Sequence, residues 1–376
     1  MAAMTPIGLL LLLHLYIGWR IAPQLPGSAA TAVFALLLTA SAALIPLAFF
    51  GRRARQRKVA DRWTWAGMFA LGLFSMLLVL TLLRDALLLA TVPFDLPTLP
   101  ASSAIAVPLL ALAAALFGLI GARRTPRVRE VEVPIAGLPT ALHGFTIAQI
   151  SDLHVGPTVK APYVRAVVER INALQADAVA ITGDLVDGRV QDLASDVASL
   201  ADLRSRHGSF FVTGNHEYYS GAAEWIAHLR QLGLTVLIDE HVVLEHGGAQ
   251  LVMAGVADHG ARHFDASHRS DPRAAMAGAP RDAALVVLRV LLAHQPRSAP
   301  AAADAGFHIQ LSGHTHGGQF WPWNLLVKLQ QPFVAGLHKL RSMWVYTSRG
   351  TGYWGPPLRL GAPSEITRLR FVAARG

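Results

Sequence analysis

Cysteine is absent from all 376 residues, which excludes disulfides, thiolate metal ligands and thiol nucleophiles together. Internal repeats and low-complexity tracts are also missing, apart from alanine-rich stretches, so a solenoid or an array is not expected. A third scarcity is local. Within residues 1–129, four stretches carry no acidic or basic side chain: Ala2 to Trp19, Ser28 to Phe50, Trp63 to Leu83 and Ser102 to Ala122. Each meets or approaches the ~20 residues that a helix needs to cross a bilayer. As core helices of a water-soluble domain, they would leave too little polar surface for solvent. The first is the shortest and lacks the basic leader of a signal peptide, so four membrane spans are expected. Trp19 and Arg20 read as an interfacial anchor. Arg84 and Asp85 are followed by the apolar patch Ala86 to Val92, which predicts that the third helix runs on past the charged pair.

Basic residues crowd two of the places where spans end. Arg52, Arg53, Arg55, Arg57, Lys58 and Arg62 lie between the second and third spans, and Arg123, Arg124, Arg127 and Arg129 follow the fourth. The first and third connections hold only Arg20 and Arg84. The positive-inside rule then places both clusters, the amino terminus and the remainder of the chain in the cytoplasm.

The net charge of +9 would suggest nucleic acid in a soluble protein. It has another origin here. Of 33 Lys and Arg, 12 fall in residues 1–129, against 3 of 24 Asp and Glu, which leaves 21 of each sign from Glu130 onward. The second half is neutral, with no basic stripe for a polynucleotide. The excess sits in the membrane half, where anionic headgroups are its natural partner. Apolar composition ends near Thr125-Pro126-Arg127, so residues 1–125 are read as a transmembrane helical region and residues 126–376 as one compact domain.

That second region holds five short apolar runs, Thr146 to Ile150, Ala178 to Thr182, Ser209 to Thr213, Leu288 to Ala293 and Phe307 to Ser312. Their length and bounding residues read as buried strands. Helical periodicity between the first three, as in Val164 to Leu174, predicts an α/β layer with crossovers. Each run is followed at once by metal-ligand chemistry: Asp152-Leu153-His154, then Gly183-Asp184-Leu185-Val186-Asp187, then Gly214-Asn215-His216-Glu217, then His294, then Gly313-His314-Thr315-His316. Ligands in such sheets collect beyond the carboxyl ends of strands. Any one of these motifs alone would pass as turn chemistry.

Carboxylates and imidazoles crowded together repel or take up protons unless a cation joins them. Asp152, His154, Asp184, Asn215, His294, His314 and His316 are seven candidate ligands, too many for one four-coordinate zinc and suited to two ions sharing Asp184. Mixed oxygen and nitrogen ligation favours manganese, iron, zinc or magnesium without choosing among them.

The order and spacing of these motifs resemble the calcineurin-like metallophosphoesterases, within them the membrane-attached branch, over roughly residues 140 to 370. The run Gly313-His314-Thr315-His316-Gly317-Gly318-Gln319, the run Ser348-Arg349-Gly350-Thr351-Gly352 and Leu358-Arg359-Leu360-Gly361 extend the match. The resemblance implies a four-layer α/β/β/α sandwich behind the transmembrane helices, and two divalent metal ions. One ion would be held by Asp152, His154, Asp184 and His316, the other by Asp184, Asn215, His294 and His314. It also implies that His216 is not a ligand but protonates the leaving oxygen, with Asp187 orienting it from behind. In-line phosphoryl transfer needs such a proton donor, an activated nucleophile and neutralised phosphate oxygens.

The branch includes hydrolases of nucleotide-linked lipids such as UDP-2,3-diacylglucosamine and enzymes acting on general phosphodiesters. A phosphoester substrate is therefore implied, lipid-linked or soluble. A purely regulatory membrane protein is the reading from another class, and the intact ligand positions oppose it. Phe320-Trp321-Pro322-Trp323 with Leu325, Leu326 and Val327 follows the last ligand motif and offers either core packing or contact with acyl chains. The polar segment Asp258 to Asp271 is a candidate substrate-gripping cap, and Asp239 and Glu240 read as turn residues.

Overall fold

The computed structural model describes residues 5–50, 57–280 and 287–374. Arg52, Arg53 and Arg55 of the first basic cluster lie outside the described residues. The chain divides into two compact units, one holding the residues up to Arg123 with Gly355–Leu360, the other Arg124–Trp354 and the residues from Gly361.

The first unit contains four helices, α1 (Pro6–Ile21), α2 (Gly27–Phe50), α3 (Arg57–Ala90) and α4 (Leu99–Arg123). All four are long and apolar enough to cross a membrane. Large side chains such as Leu36, Leu89 and Phe117 are exposed, as lipid-facing positions require, whereas Ala104, Ala111, Ala115, Gly118 and Ala122 form a buried small-residue face on α4. At Gly67 of α3 an added Cβ would overlap Leu44 O of α2, so the missing side chain is what lets these two helices approach.

Helix α3 does continue through Arg84 and Asp85. It can because both charges are satisfied. Arg84 is 4% exposed and donates to Ser103 Oγ at 2.9 Å, Pro100 O at 2.9 Å and Arg20 O at 3.2 Å. Asp85 accepts from Tyr16 at 2.6 Å and Arg20 at 2.8 Å, which ties α1 to α3.

The second unit has two mixed six-stranded sheets. The strands are β1 (Arg127–Ile135), β2 (Thr146–Ile150), β3 (Ala178–Thr182), β4 (Ser209–Val212), β5 (Thr235–Val236), β6 (Glu240–His246), β7 (Ala249–Gly255), β8 (Leu288–Leu292), β9 (Ile309–Ser312), β10 (Gly336–Leu340), β11 (Met343–Thr347) and β12 (Glu365–Ala373). Their order is β1-β12-β2-β3-β4-β5 in one sheet and β10-β11-β9-β8-β7-β6 in the other. The central pairs β2–β3, β3–β4, β7–β8 and β8–β9 are parallel, as crossover connections demand. Helices α5 (Ala161–Asn172), α6 (Val190–Val197), α7 (Asn215–Ser220) and α8 (Ala222–Gln231) lie among the strands of the first sheet in the chain, and α9 (Pro272–Ala275) and α10 (Ala299–Asp304) among those of the second. This is the α/β/β/α arrangement.

Strand alternation sorts the apolar side chains into two layers. Ile147, Ala178, Ala180, Phe210, Leu251, Met253, Leu288, Val290, Leu292, Ile309 and Leu311 meet between the sheets, whereas Val252, Ala254 and Leu291 turn the other way onto Ala275, Ala299 and Ala302 of the outer helices. Because both faces of these strands are covered, they read as continuous apolar runs. A buried polar tie crosses the sandwich: Gln149 on β2 donates to Thr182 Oγ1 at 2.9 Å on β3 and to Ser312 O at 3.0 Å on β9 of the opposite sheet. Three of the five strands whose ends carry the motifs, β2, β3 and β9, are thereby tied together.

Candidate metal centre

Five of the seven candidate ligands, Asp152, His154, Asp184, His314 and His316, sit in left-handed backbone with φ between 50° and 70°. Non-glycine residues seldom adopt this conformation, and such residues concentrate at functional sites. Here it turns successive side chains back over the strand ends. The chain must also come close to itself. At Gly214 an added Cβ would overlap the Asp184 carboxylate, and at Gly313 it would overlap Ser151 Oγ and the Asp152 carboxylate. The loop after β2 is backed by the C-terminal glycine motif, since Thr351 N donates to Ser151 O at 2.7 Å and Gly352 N to Asp152 O at 3.0 Å.

Six of the seven ligand candidates come together. Three clusters each gather ligand atoms within 4.8 Å of one another: Asp152, His154 and His316; His154, Asp184 and His216; Asp184, His294 and His314. Asp184 belongs to two of them. His154 Nε2 lies 3.1 Å from His316 Nε2, His316 Nε2 3.5 Å from an Asp152 oxygen, His294 Nε2 3.1 Å from His314 Nδ1 and 3.2 Å from an Asp184 oxygen. Ligands each about 2.1 Å from a shared cation stand about 3 Å apart, so these separations fit metal chelation. Asn215 adds an independent sign. Its Oδ1 is buried and accepts no hydrogen bond, and such an orphaned oxygen between His216 and Gly214 suits a ligand.

The ring nitrogens that point away from the clusters are held by acceptors. His294 Nδ1 donates to Thr182 O at 2.8 Å and His154 Nδ1 to Asp187 Oδ1 at 3.1 Å, which aims each Nε2 inward, where a bound cation would take the place of its proton. Electrostatics agree that positive charge belongs beside Asp184. Burial opposes ionisation of this carboxyl, but contact with His294 holds it well below the usual range. Burial disfavours a charged His294, yet Asp184 lifts its pKa well above the ordinary imidazole value. His314 is pushed the other way, down to about 3, by burial and by the neighbouring His294.

Asp187 has two partners where the sequence suggested one. Its Oδ1 accepts from His216 Nδ1 at 2.5 Å and from His154 Nδ1. Burial works against its charge, but the two imidazoles hold it ionised far into acid. One carboxylate therefore orients a candidate ligand and the candidate proton donor together.

Residues that motif reading did not single out complete the site. Glu217, fully buried, accepts from four backbone N–H groups, those of Asp184 at 3.0 Å, Leu185 at 2.7 Å, Val186 at 3.3 Å and Gly214 at 2.6 Å. It clips the β3 loop to the β4 loop. Tyr219 and Trp354, both more than half exposed, place ring centroids 5.3 and 5.7 Å from the His216 ring. Phe264 of the Asp258–Asp271 segment extends this aromatic rim, 5.6 Å from Tyr219, and His268 of the same segment pairs with Tyr218 OH at 2.7 Å. Asp239 is more than a turn residue, because its carboxylate accepts from the backbone of Arg269, Ser270 and Asp271 and pins that segment.

Replacing Glu217 by Gln leaves one oxygen for four donors and turns an NH2 group toward the others. The variant is expected to lose about 1–3 kcal/mol of stability. Thermal unfolding of the full chain in detergent measures this, and an unchanged midpoint would contradict the clip.

Residues 145–318 match the family model described as calcineurin-like phosphoesterase. A protein named transmembrane protein with metallophosphoesterase domain, from Bos taurus, is 40% identical over 269 residues, covering 68% of this chain and 60% of the relative. Its counterpart from Danio rerio is 36% identical, with 68% and 59% covered. The chain thus spans about 60% of the length of these two relatives. A protein named uncharacterized metallophosphoesterase from Aquifex aeolicus is 30% identical, covering 64% of this chain and 89% of the relative. These likenesses establish that the chain belongs to the calcineurin-like phosphoesterase family.

Proposed function

We propose that the protein is a membrane-bound, dinuclear-metal phosphoesterase that hydrolyses a phosphodiester or pyrophosphate bond, with a lipid-linked compound of the UDP-2,3-diacylglucosamine type as its substrate class. The observation that carries this reading is the gathering of Asp152, His154 and His316 in one cluster and of Asp184, His294 and His314 in another, with His154 and Asp184 also meeting at His216, beside a His216–Asp187 pair at 2.5 Å. One ion would be held by Asp152, His154, Asp184 and His316 and the other by Asp184, Asn215, His294 and His314. Bound there, divalent ions supply charge neutralisation on the phosphate oxygens and activation of the attacking water.

The chain's own groups do the rest. His216 holds its Nδ1 proton toward Asp187, so Nε2 is the atom that presents a proton to the departing oxygen. The ring is partly exposed, with its side chain 16% accessible, as a group that must meet substrate has to be. Asp187 fixes the orientation of the ring. Glu217 holds Asp184 between the two clusters. Exposed Tyr219 and Trp354 give the leaving group an aromatic wall beside His216.

The lipid-linked reading draws on membrane attachment, which keeps the site near lipid substrates, and on the exposed apolar side chains that border the site. The positive-inside pattern supports an inner-membrane protein with the catalytic unit in the cytoplasm. The competing reading keeps the same chemistry on a soluble phosphoester and makes the spans an anchor.

The test is to purify the full chain in detergent, load it with manganese or zinc, and compare a UDP-linked diacyl sugar, an aryl phosphodiester and an aryl phosphomonoester. Hydrolysis of the first two is expected, and turnover of soluble monoesters alone would remove the lipid-linked reading. His216→Ala should lower kcat about 10²–10⁴-fold with bound metal unchanged. Because His216 also stands in the cluster with His154 and Asp184, loss of metal in step with activity would make it a ligand instead.

A further inference from the structure

The exposed apolar side chains of the second unit are not scattered. Among its described residues, five of the nine large ones fall in a single nine-residue stretch: Trp321, Trp323, Leu325, Leu326 and Leu329, with exposures from 37% to 82%. Isolated exposed leucines need no explanation, but a contiguous patch does. Of the two readings that the sequence left open for this stretch, core packing fits Phe320, which is 7% exposed, and fails for the residues after it.

The stretch is built as two successive 3-10 turns, Trp323–Leu325 and Val327–Leu329. Its backbone is held firmly. Asn324 packs against Gly318, where any Cβ would collide with it, Arg297 donates to Gln330 O at 2.8 Å, and Gln331 donates to Gln295 at 3.3 Å. A segment anchored at its base with its apolar tips directed outward is arranged to insert into something.

Charge and tethering identify the occupant. From Asp304 to Glu365 the intervening residues contain no acidic side chain, while Lys328 lies within the patch and Lys339 follows on β10, both exposed. Tryptophan with leucine and lysine is the composition of an interfacial membrane element, with rings at headgroup level and the ammonium toward anionic phosphates. Four apolar helices of the same chain keep a bilayer within reach, so a small patch suffices where a soluble protein would need a larger one.

We propose that Trp321–Leu329 is a membrane-docking element that seats its apolar side chains in the interface of an anionic bilayer. Because it starts just past His316 and packs on Gly318, docking brings the candidate metal centre to headgroup level. The inference rests on membrane residence and not on the proposed reaction, so it stands or falls apart from any activity.

The cysteine-free sequence makes the test direct. Leu325→Cys, Leu329→Cys and, as an exposed control on α8, Gln231→Cys are each labelled with a nitrobenzoxadiazole fluorophore in the full chain. One copy per nanodisc is reconstituted in phosphatidylcholine with phosphatidylglycerol, with and without nitroxide-labelled lipid, after each variant is shown to keep the parent melting temperature. Labels at 325 and 329 are expected to emit at shorter wavelength and to be quenched about twofold by the nitroxide, with no change at 231. Water-like emission at 325 and 329 would overturn the proposal. So would a shift to shorter wavelength without nitroxide quenching, which would mean that protein covers the patch.

Discussion

The geometry of the second unit turns on one buried carboxylate. Asp184 stands where two clusters of imidazole and carboxylate groups meet, almost without contact with water, and a bare charge in that position would be costly. The surrounding structure answers that cost. Glu217 fixes the loop that carries Asp184, His216 N donates to its Oδ1 at 2.9 Å, and His294 faces its other oxygen. Gly214 is without a side chain because the carboxylate occupies the space. The left-handed turns after β2, β3 and β9 point further candidate ligands at the same place. A divalent pair is the simplest neutraliser of such a constellation, and the proposed chemistry follows from that neutralisation.

Much of this was legible in the sequence because it is local. Short β-branched runs announce buried strands, and a candidate ligand after each run falls at a strand's carboxyl end, so five strands, with bounds within two residues of those observed, and the convergence of Asp152, His154, Asp184, His294, His314 and His316 were legible in the sequence. The network behind them was not. Asp187 contacts His154 as well as His216, Glu217 reaches four amides on two loops, and Trp354 meets His216 from more than a hundred residues away. Those pairings depend on tertiary approach, for which spacing carries no signal. Glu217 left no such trace, because the burial that obliges its carboxylate to find hydrogen bonds is itself tertiary.

The membrane half shows the same division. Length and the absence of charge announce four spans, and Ala86 to Val92 announces that α3 continues. What permits the continuation is visible only in space, where Arg84 finds Ser103, Pro100 and Arg20, and Asp85 finds Tyr16 and Arg20. The positive excess confined to residues 1–129 and the acid-free stretch around Trp321–Leu329 belong to different units, yet both suit an anionic bilayer.

The central claim is that Asp184 joins two metal sites in one buried constellation. Metal analysis of the full chain purified in detergent, by inductively coupled plasma mass spectrometry after equilibration with manganese, tests it most directly. The account predicts two ions per chain, falling to one or none in Asp184→Asn while the fold is retained. A single ion in the parent protein, or two ions undisturbed by that substitution, would contradict it.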